Sequence, residues 1–117
     1  MKAVDCTDGG TMCEVYRDPA WGQLNVRTIP PGAKAGGHRH PQTEEWWFLA
    51  RGRLWLSLEQ TGRAPYERFL KPGEVISIAA GRGHAVENLD DEDAVLVFWR
   101  SRLYDPGDPD KEEWDGL

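Results

Sequence analysis

Residues 32–52 read GAKAGGHRHPQTEEWWFLARG and set His38, His40 and Glu45 in the spacing Gly-x5-His-x-His-x4-Glu-x6-Gly. His84 follows well downstream and completes the chain's three histidines. Side chains at i and i+2 of a β-strand share a face, so His38 and His40 can grip one ion together. Pro41 ends that strand, and Pro41-Gln42-Thr43 supplies a turn. Glu45 stands five residues after His40, the wrong parity for one unbroken strand, so its carboxylate is expected on the return strand of a hairpin. Glu44 offers a carboxylate one residue earlier, but only Glu45 leaves six residues before Gly52.

Any one of these histidines alone would read as a core or solvent-facing residue. Together with Glu45, and set among glycine-rich turns, His38, His40 and His84 read as the ligands of one divalent ion per chain. Three imidazoles and a carboxylate suit a first-row ion such as zinc, iron, manganese or nickel. Four protein ligands leave one or two positions for substrate on a five- or six-coordinate ion, and none on a closed tetrahedral zinc.

Outward from this stretch the chain reads as short strands between turns. Asp8-Gly9-Gly10-Thr11 is a turn into a strand over Met12–Tyr16, and residues 18–22 form the next turn. Gln23 to Ile29 alternates, with Leu24, Val26 and Thr28 on one face and Gln23, Asn25, Arg27 and Ile29 on the other. The ordinary expectation places the Gln-Asn-Arg set in solvent; the alternative is that it lines a ligand cavity. After the turn at Pro41, Glu45, Trp47 and Leu49 share a face, which puts Trp46 and Phe48 on the opposite one and points to a homodimer or a second sheet covering them. Leu54, Leu56 and Leu58 mark another strand, and residues 60–65 loop into Tyr66–Leu70. A second turn, Lys71-Pro72-Gly73, leads through Glu74–Ile78 to His84, Val86 and Asn88 on one face. Residues 90–93 form an acidic hairpin loop, and Val95–Trp99 is apolar enough for burial on both faces. Pro106 and Pro109 exclude a helix from the tail, so residues 101–117 are expected to lie extended over the surface, with a closing turn near Lys111–Trp114.

The 117 residues suit a single domain spanning 1–117. A net charge of −6 argues against nucleic acid as a partner. No apolar run is long enough to span a membrane and the N-terminus lacks the apolar core of a signal peptide, so a soluble, cytoplasmic protein is expected. Cys6 and Cys13 are too few for a disulfide framework and read as small, half-buried side chains.

The first motif, complete at Gly32, His38, His40, Glu45 and Gly52, resembles that of the cupins. The second cupin motif matches at Gly73, Gly81, His84 and Asn88, with Ala79 where the family usually has proline. The resemblance covers about residues 8–110 and implies an all-β fold, the double-stranded β-helix or cupin jelly roll. More narrowly, the chain is similar to the C-terminal cupin half of bacterial capsular-polysaccharide enzymes that epimerise and then reduce nucleotide-activated keto-sugars. That similarity rests on Asp8-Gly9-Gly10-Thr11 with Glu14, on Gly22-Gln23-Leu24-Asn25-Val26 leading to Pro31-Gly32, on Phe98-Trp99, and on Tyr104-Asp105-Pro106 with Pro109-Asp110. It implies zinc and an epimerase step. Gly9 stands where those enzymes often carry an arginine, and these residues hold no counterpart of the reductase half.

Epimerisation beside a carbonyl needs a base that reaches a carbon-bound proton. With all three histidines assigned as ligands, Tyr16, Lys34 and Tyr104 are candidates by residue type. Gln23, Asn25, Arg27, Trp47 and Arg82 are the candidate substrate-binding residues, the arginines for an anionic group of a small-molecule substrate such as a nucleotide sugar. Two other functions compete on the same scaffold: an iron-dependent cupin dioxygenase, and a non-catalytic, metal-stabilised sugar- or small-molecule-binding module.

Overall fold

The computed structural model describes residues 3–6 and 9–116; Asp8 of the expected head turn lies outside them. The described residues form eleven strands and no helix: β1 (Ala3–Asp5), β2 (Thr11–Asp18), β3 (Gly22–Ile29), β4 (Lys34–Arg39), β5 (Glu45–Arg51), β6 (Leu54–Leu58), β7 (Tyr66–Leu70), β8 (Val75–Ile78), β9 (His84–Glu87), β10 (Ala94–Arg100) and β11 (Glu112–Glu113). Among the described residues no helix is long and apolar enough to cross a membrane. Two antiparallel sheets result, of six strands in the order β1-β2-β3-β10-β5-β8 and of five in the order β11-β4-β9-β6-β7. From β3 to β6, and again from β7 to β11, every connection changes sheet, which winds the chain into the cupin jelly roll.

One local expectation is overturned. β4 and β5 do not form a hairpin: β4 pairs with β9 and β11, whereas β5 pairs with β10 and β8. Hairpin neighbours lie side by side about 4.8 Å apart, while facing sheets are about 10 Å apart with their side chains meeting between them. Residues 40–44 therefore cross the sandwich and bring Glu45 toward the histidines from the opposite sheet.

Strand register explains why one end of the interior is polar and the other apolar. On the six-stranded sheet, Arg100 stands between Gln23 and Glu45, Phe98 between Asn25 and Trp47, and Leu96 between Arg27 and Leu49, with Ala94 beside Ile29. On the other sheet, His84 stands between His38 and Leu58, and Val86 between Ala35 and Leu56. The rows grow apolar toward Ile29, Leu49, Leu54, Leu56, Leu70 and Val86, all fully buried, which form the core. The expectation that the polar face of β3 meets solvent is thus reversed, since Gln23 and Asn25 are 5% and 1% exposed. Their burial is tolerated because they bond each other, Gln23 Nε2 to Asn25 Oδ1 at 2.9 Å, and Gln23 Oε1 accepts from Tyr104 N at 2.9 Å.

β10 is buried at Ala94, Leu96 and Arg100 but only half-buried at Val95, Val97 and Trp99, so its outer face is not the second buried face expected. Beside it Trp46 and Phe48 are 47% and 41% exposed. The turn expected near Lys111–Trp114 is instead β11, which pairs Glu112 with Arg39 and Glu113 with His38. Ala79 closes its turn without a proline, its carbonyl accepting from Arg82 N at 3.2 Å. Asn88 staples the acidic loop, donating to Ile29 O at 2.9 Å and Glu92 O at 2.8 Å.

Glu59, just after β6, ties three strands together behind the histidines. It accepts two hydrogen bonds from the Arg39 guanidinium, one of them from Nε at 2.7 Å, and a third from Gly83 N at 2.9 Å. Arg39 first, then the Gly83 N–H, holds its carboxyl down to about 2. Because the folded state favours the carboxylate, this stabilisation is complete above the ordinary glutamate value near 4.5 and is lost as pH falls toward 2. Unfolding measured against pH should therefore be steeper for the wild type than for Glu59→Gln in that window; parallel curves would refute the coupling.

Candidate metal centre

The bulge between Gly36 and His38 on β4 sets His38 opposite His84 on β9, and His40 follows directly after β4. The ligand atoms of the three histidines all lie within 4.8 Å of one another. From the facing sheet, Glu45 Oε1 approaches to 3.4 Å from His84 Nε2 and 3.7 Å from His40 Nε2. His40, His84 and Glu45 are 7%, 2% and 4% exposed, and His38 is half-buried. The edge of His84 meets Trp47, with ring centroids 5.4 Å apart, and Trp47 Nε1 donates to Glu45 Oε1 at 3.3 Å.

Hydrogen bonds behind the rings fix which nitrogen faces the site. His40 Nδ1 lies 3.0 Å from Asp110 O, and His84 Nδ1 lies 3.1 Å from Arg82 O. A carbonyl only accepts, so each Nδ1 carries the proton and each neutral ring turns an Nε2 lone pair inward. Burial lowers all three imidazoles, His38 to about 3 with His84 and Lys111 adding to it, and His84 to about 4. Burial likewise raises the Glu45 carboxyl. Two lone pairs aimed at one carboxylate oxygen repel it unless a metal cation or a proton on Glu45 lies among them. Three neutral imidazoles, two of them with their ring protons tied back to carbonyls, and a carboxylate form a donor set that fits a divalent first-row ion.

A cavity of about 380 Å³ opens over these four side chains. Gln23, Asn25, Arg27, Trp47 and Tyr104 line it. Three other sequence candidates stand elsewhere. Arg82 turns its Nε to Glu59 O at 2.9 Å and serves the site only through its carbonyl. Tyr16 is 52% exposed on the outer face with its ring edge on Trp21, at 5.3 Å, and Lys34 is exposed at the start of β4 opposite Glu87.

Sequence reasoning missed Arg100 and Lys111, which also line the cavity, and Asp110 behind His40. Arg100 is 7% exposed, donates Nε to Arg102 O at 3.0 Å, and holds its guanidinium 5.6 Å from the Tyr104 ring centre. Burial lowers its pKa, opposed by the charges of Glu45 and Asp110. Continuing the alternation of β10 one residue past Trp99 would have put Arg100 on the inward face.

Known proteins share this fold. Over 104 residues the chain is 24% identical to the UDP-2-acetamido-2,6-beta-L-arabino-hexul-4-ose reductase of Pseudomonas aeruginosa, covering 86% of this chain and 28% of that protein. The capsular polysaccharide assembling protein CapF from Staphylococcus aureus superposes with a TM-score of 0.89 at 26% identity, covering 97% of this chain and 34% of that one. The oxalate decarboxylase of Lactobacillus farciminis shares the fold, with a TM-score of 0.73 at 20% identity over 86% of this chain and 31% of that one. The chain thus spans about a third of the length of these relatives. The model of the polysaccharide biosynthesis C-terminal domain matches residues 5–112, and the chain belongs to that family.

Proposed function

We propose that this chain is a metal-dependent isomerase or epimerase that acts beside the carbonyl of a nucleotide-activated keto-sugar, with zinc held by His38, His40, His84 and Glu45. The carrying observation is the pair of inward Nε2 lone pairs facing one Glu45 oxygen at the base of a cavity. The keto-sugar is suggested by the hexul-4-ose named for the Pseudomonas relative. An ion in this site would polarise the substrate carbonyl and favour developing charge on its oxygen, an effect on the order of several kcal/mol.

The remaining roles belong to the chain's own side chains. Arg100, next to Glu45 in the strand register, donates to a substrate oxygen, and its burial keeps competing water away. Gln23, Asn25 and Arg27 hold the polar edge of the sugar, and Trp47 offers an apolar face beneath it. Tyr104 is the proposed proton carrier, since it alone of the three sequence candidates borders the cavity. As its phenolate it would take the proton from the carbon next to the carbonyl, becoming the phenol, and solvent would return a proton to the opposite face.

The test is incubation of the zinc-loaded protein with a 4-keto-hexose nucleotide in deuterium oxide. The expected result is deuterium at a carbon adjacent to the carbonyl without oxygen uptake, reduced about tenfold or more in Arg100→Met and Tyr104→Phe. Oxygen consumption by the iron-loaded protein, with no exchange in either form, would replace this reading by the dioxygenase. Binding of the sugar with neither reaction would leave a binding module.

A further inference from the structure

After β10 the chain leaves the six-stranded sheet, contributes Tyr104, Pro109 and Lys111 to the cavity wall, and joins the edge of the five-stranded sheet as β11. Nothing in metal ligation calls for this tail, yet one of its residues is held unusually firmly. The side chain of Asp110 is only 7% exposed. Its Oδ2 accepts from Thr43 Oγ1 at 2.6 Å and from Gln42 N at 2.9 Å, and Arg102 Nη1 stands 3.7 Å away. Among the described residues Asp110 alone adopts a positive φ without being glycine, at 50°. That conformation is costly for most side chains and most tolerable for Asp and Asn. It lets the carboxylate and the carbonyl of one residue engage the same short segment: the carboxylate takes the 41–43 turn, and the carbonyl takes His40 Nδ1 at 3.0 Å.

We infer that Asp110 is a positioning residue of the metal centre: its carboxylate latches the tail to the turn after His40, and its carbonyl thereby holds His40 in the tautomer whose Nε2 faces the ion. The inference rests on the metal reading above. Without the latch the tail would still be tethered by β11 and by Trp114 N donating to Gly37 O at 2.8 Å, so the fold has other means of keeping the segment in place. What the latch adds is a defined orientation of one imidazole, and partners in this second layer change metal affinity by about 10–100-fold when removed.

The experiment titrates cobalt(II) into metal-free wild type, Asp110→Ala, Asp110→Asn and Thr43→Val, and follows the ring nitrogens of His40 by NMR in the metal-free proteins. Asp110→Ala should bind cobalt about 10–100-fold more weakly and should lose the single Nδ1–H tautomer of His40. Asp110→Asn keeps one oxygen acceptor and tolerates the φ, so it should rescue both readouts. Thr43→Val removes one donor and leaves the tail intact; a mixed His40 tautomer in it supports the latch even if Asp110→Ala does not fold. Cobalt affinity and tautomer unchanged in Asp110→Ala, or an unchanged tautomer in Thr43→Val where the alanine variant is unfolded, would overturn the assignment. A wild type that takes up no cobalt would instead refute the metal reading, and the tautomer of His40 would then decide the latch by itself.

Discussion

His84→Ala should purify with almost no zinc, where the wild type should carry about one ion per chain, and added zinc should no longer raise its melting temperature. His84 is the most buried of the three imidazoles and the nearest to Glu45, so no neighbouring group can replace it. An ion that binds only the folded chain stabilises it by about 4.1 kcal/mol when present at 1,000 times its dissociation constant. All of that response should vanish in the variant. The substitution also removes packing against Trp47, so the companion variant His38→Ala, at a half-buried position, separates the two effects. It should lose the zinc response while keeping the metal-free stability closer to wild type. Metal content unchanged in both variants would sink the ligand assignment.

The second large effect should come from Gly36→Ala. Gly36 has φ of 86°, and a Cβ there would stand 2.8 Å from His84 O and 3.0 Å from Ala85 Cα. Both are backbone atoms of β9, which cannot retreat without breaking its ladder with β4. Gly32 is the natural control, with a similar φ of 79° and no atom within 4 Å of the place a methyl group would take. Gly32→Ala should cost about 1–2 kcal/mol for its backbone alone. Gly36→Ala adds an overpacking cost of about 1–3 kcal/mol, and the total is a large fraction of the roughly 5–15 kcal/mol that holds a typical domain folded. It should also weaken zinc uptake, because the displaced strand carries His84. Denaturant unfolding of the two variants checks this, and equal losses would show that the methyl contact contributes nothing.

The parts of this structure that sequence made legible are those governed by local period and by turn chemistry. Alternation placed Trp47 and Leu49 inward and Trp46 and Phe48 outward, as the burial of β5 shows. What it could not resolve is which strand lies beside which. Spacing between His40 and Glu45 reports that the chain reverses, but a reversal within one sheet and a crossing between two sheets leave the same parity. Polarity alone likewise leaves Gln23 and Asn25 open between solvent and a ligand cavity, and only the neighbours that satisfy them, each other and Tyr104, show why the interior is acceptable. The tail was harder still: Asp110 looks like one more surface acid until Thr43 and His40 are seen around it.

The crossing at residues 40–44 has a bearing on how the protein comes to bind metal at all. Had the ligands sat on one hairpin, a peptide of about twenty residues could collect the ion early and fold around it. Here His38 and His84 come from one sheet and Glu45 from the other, so tight binding must wait for long-range loop closure and for the two sheets to pack face to face. On the proposed metal reading, capture should belong late in folding, with the ion acting as a removable rivet between the layers. Chelation should loosen the sandwich as a whole rather than unpick one edge, and the rate of zinc uptake by refolding chain should report the docking of the sheets.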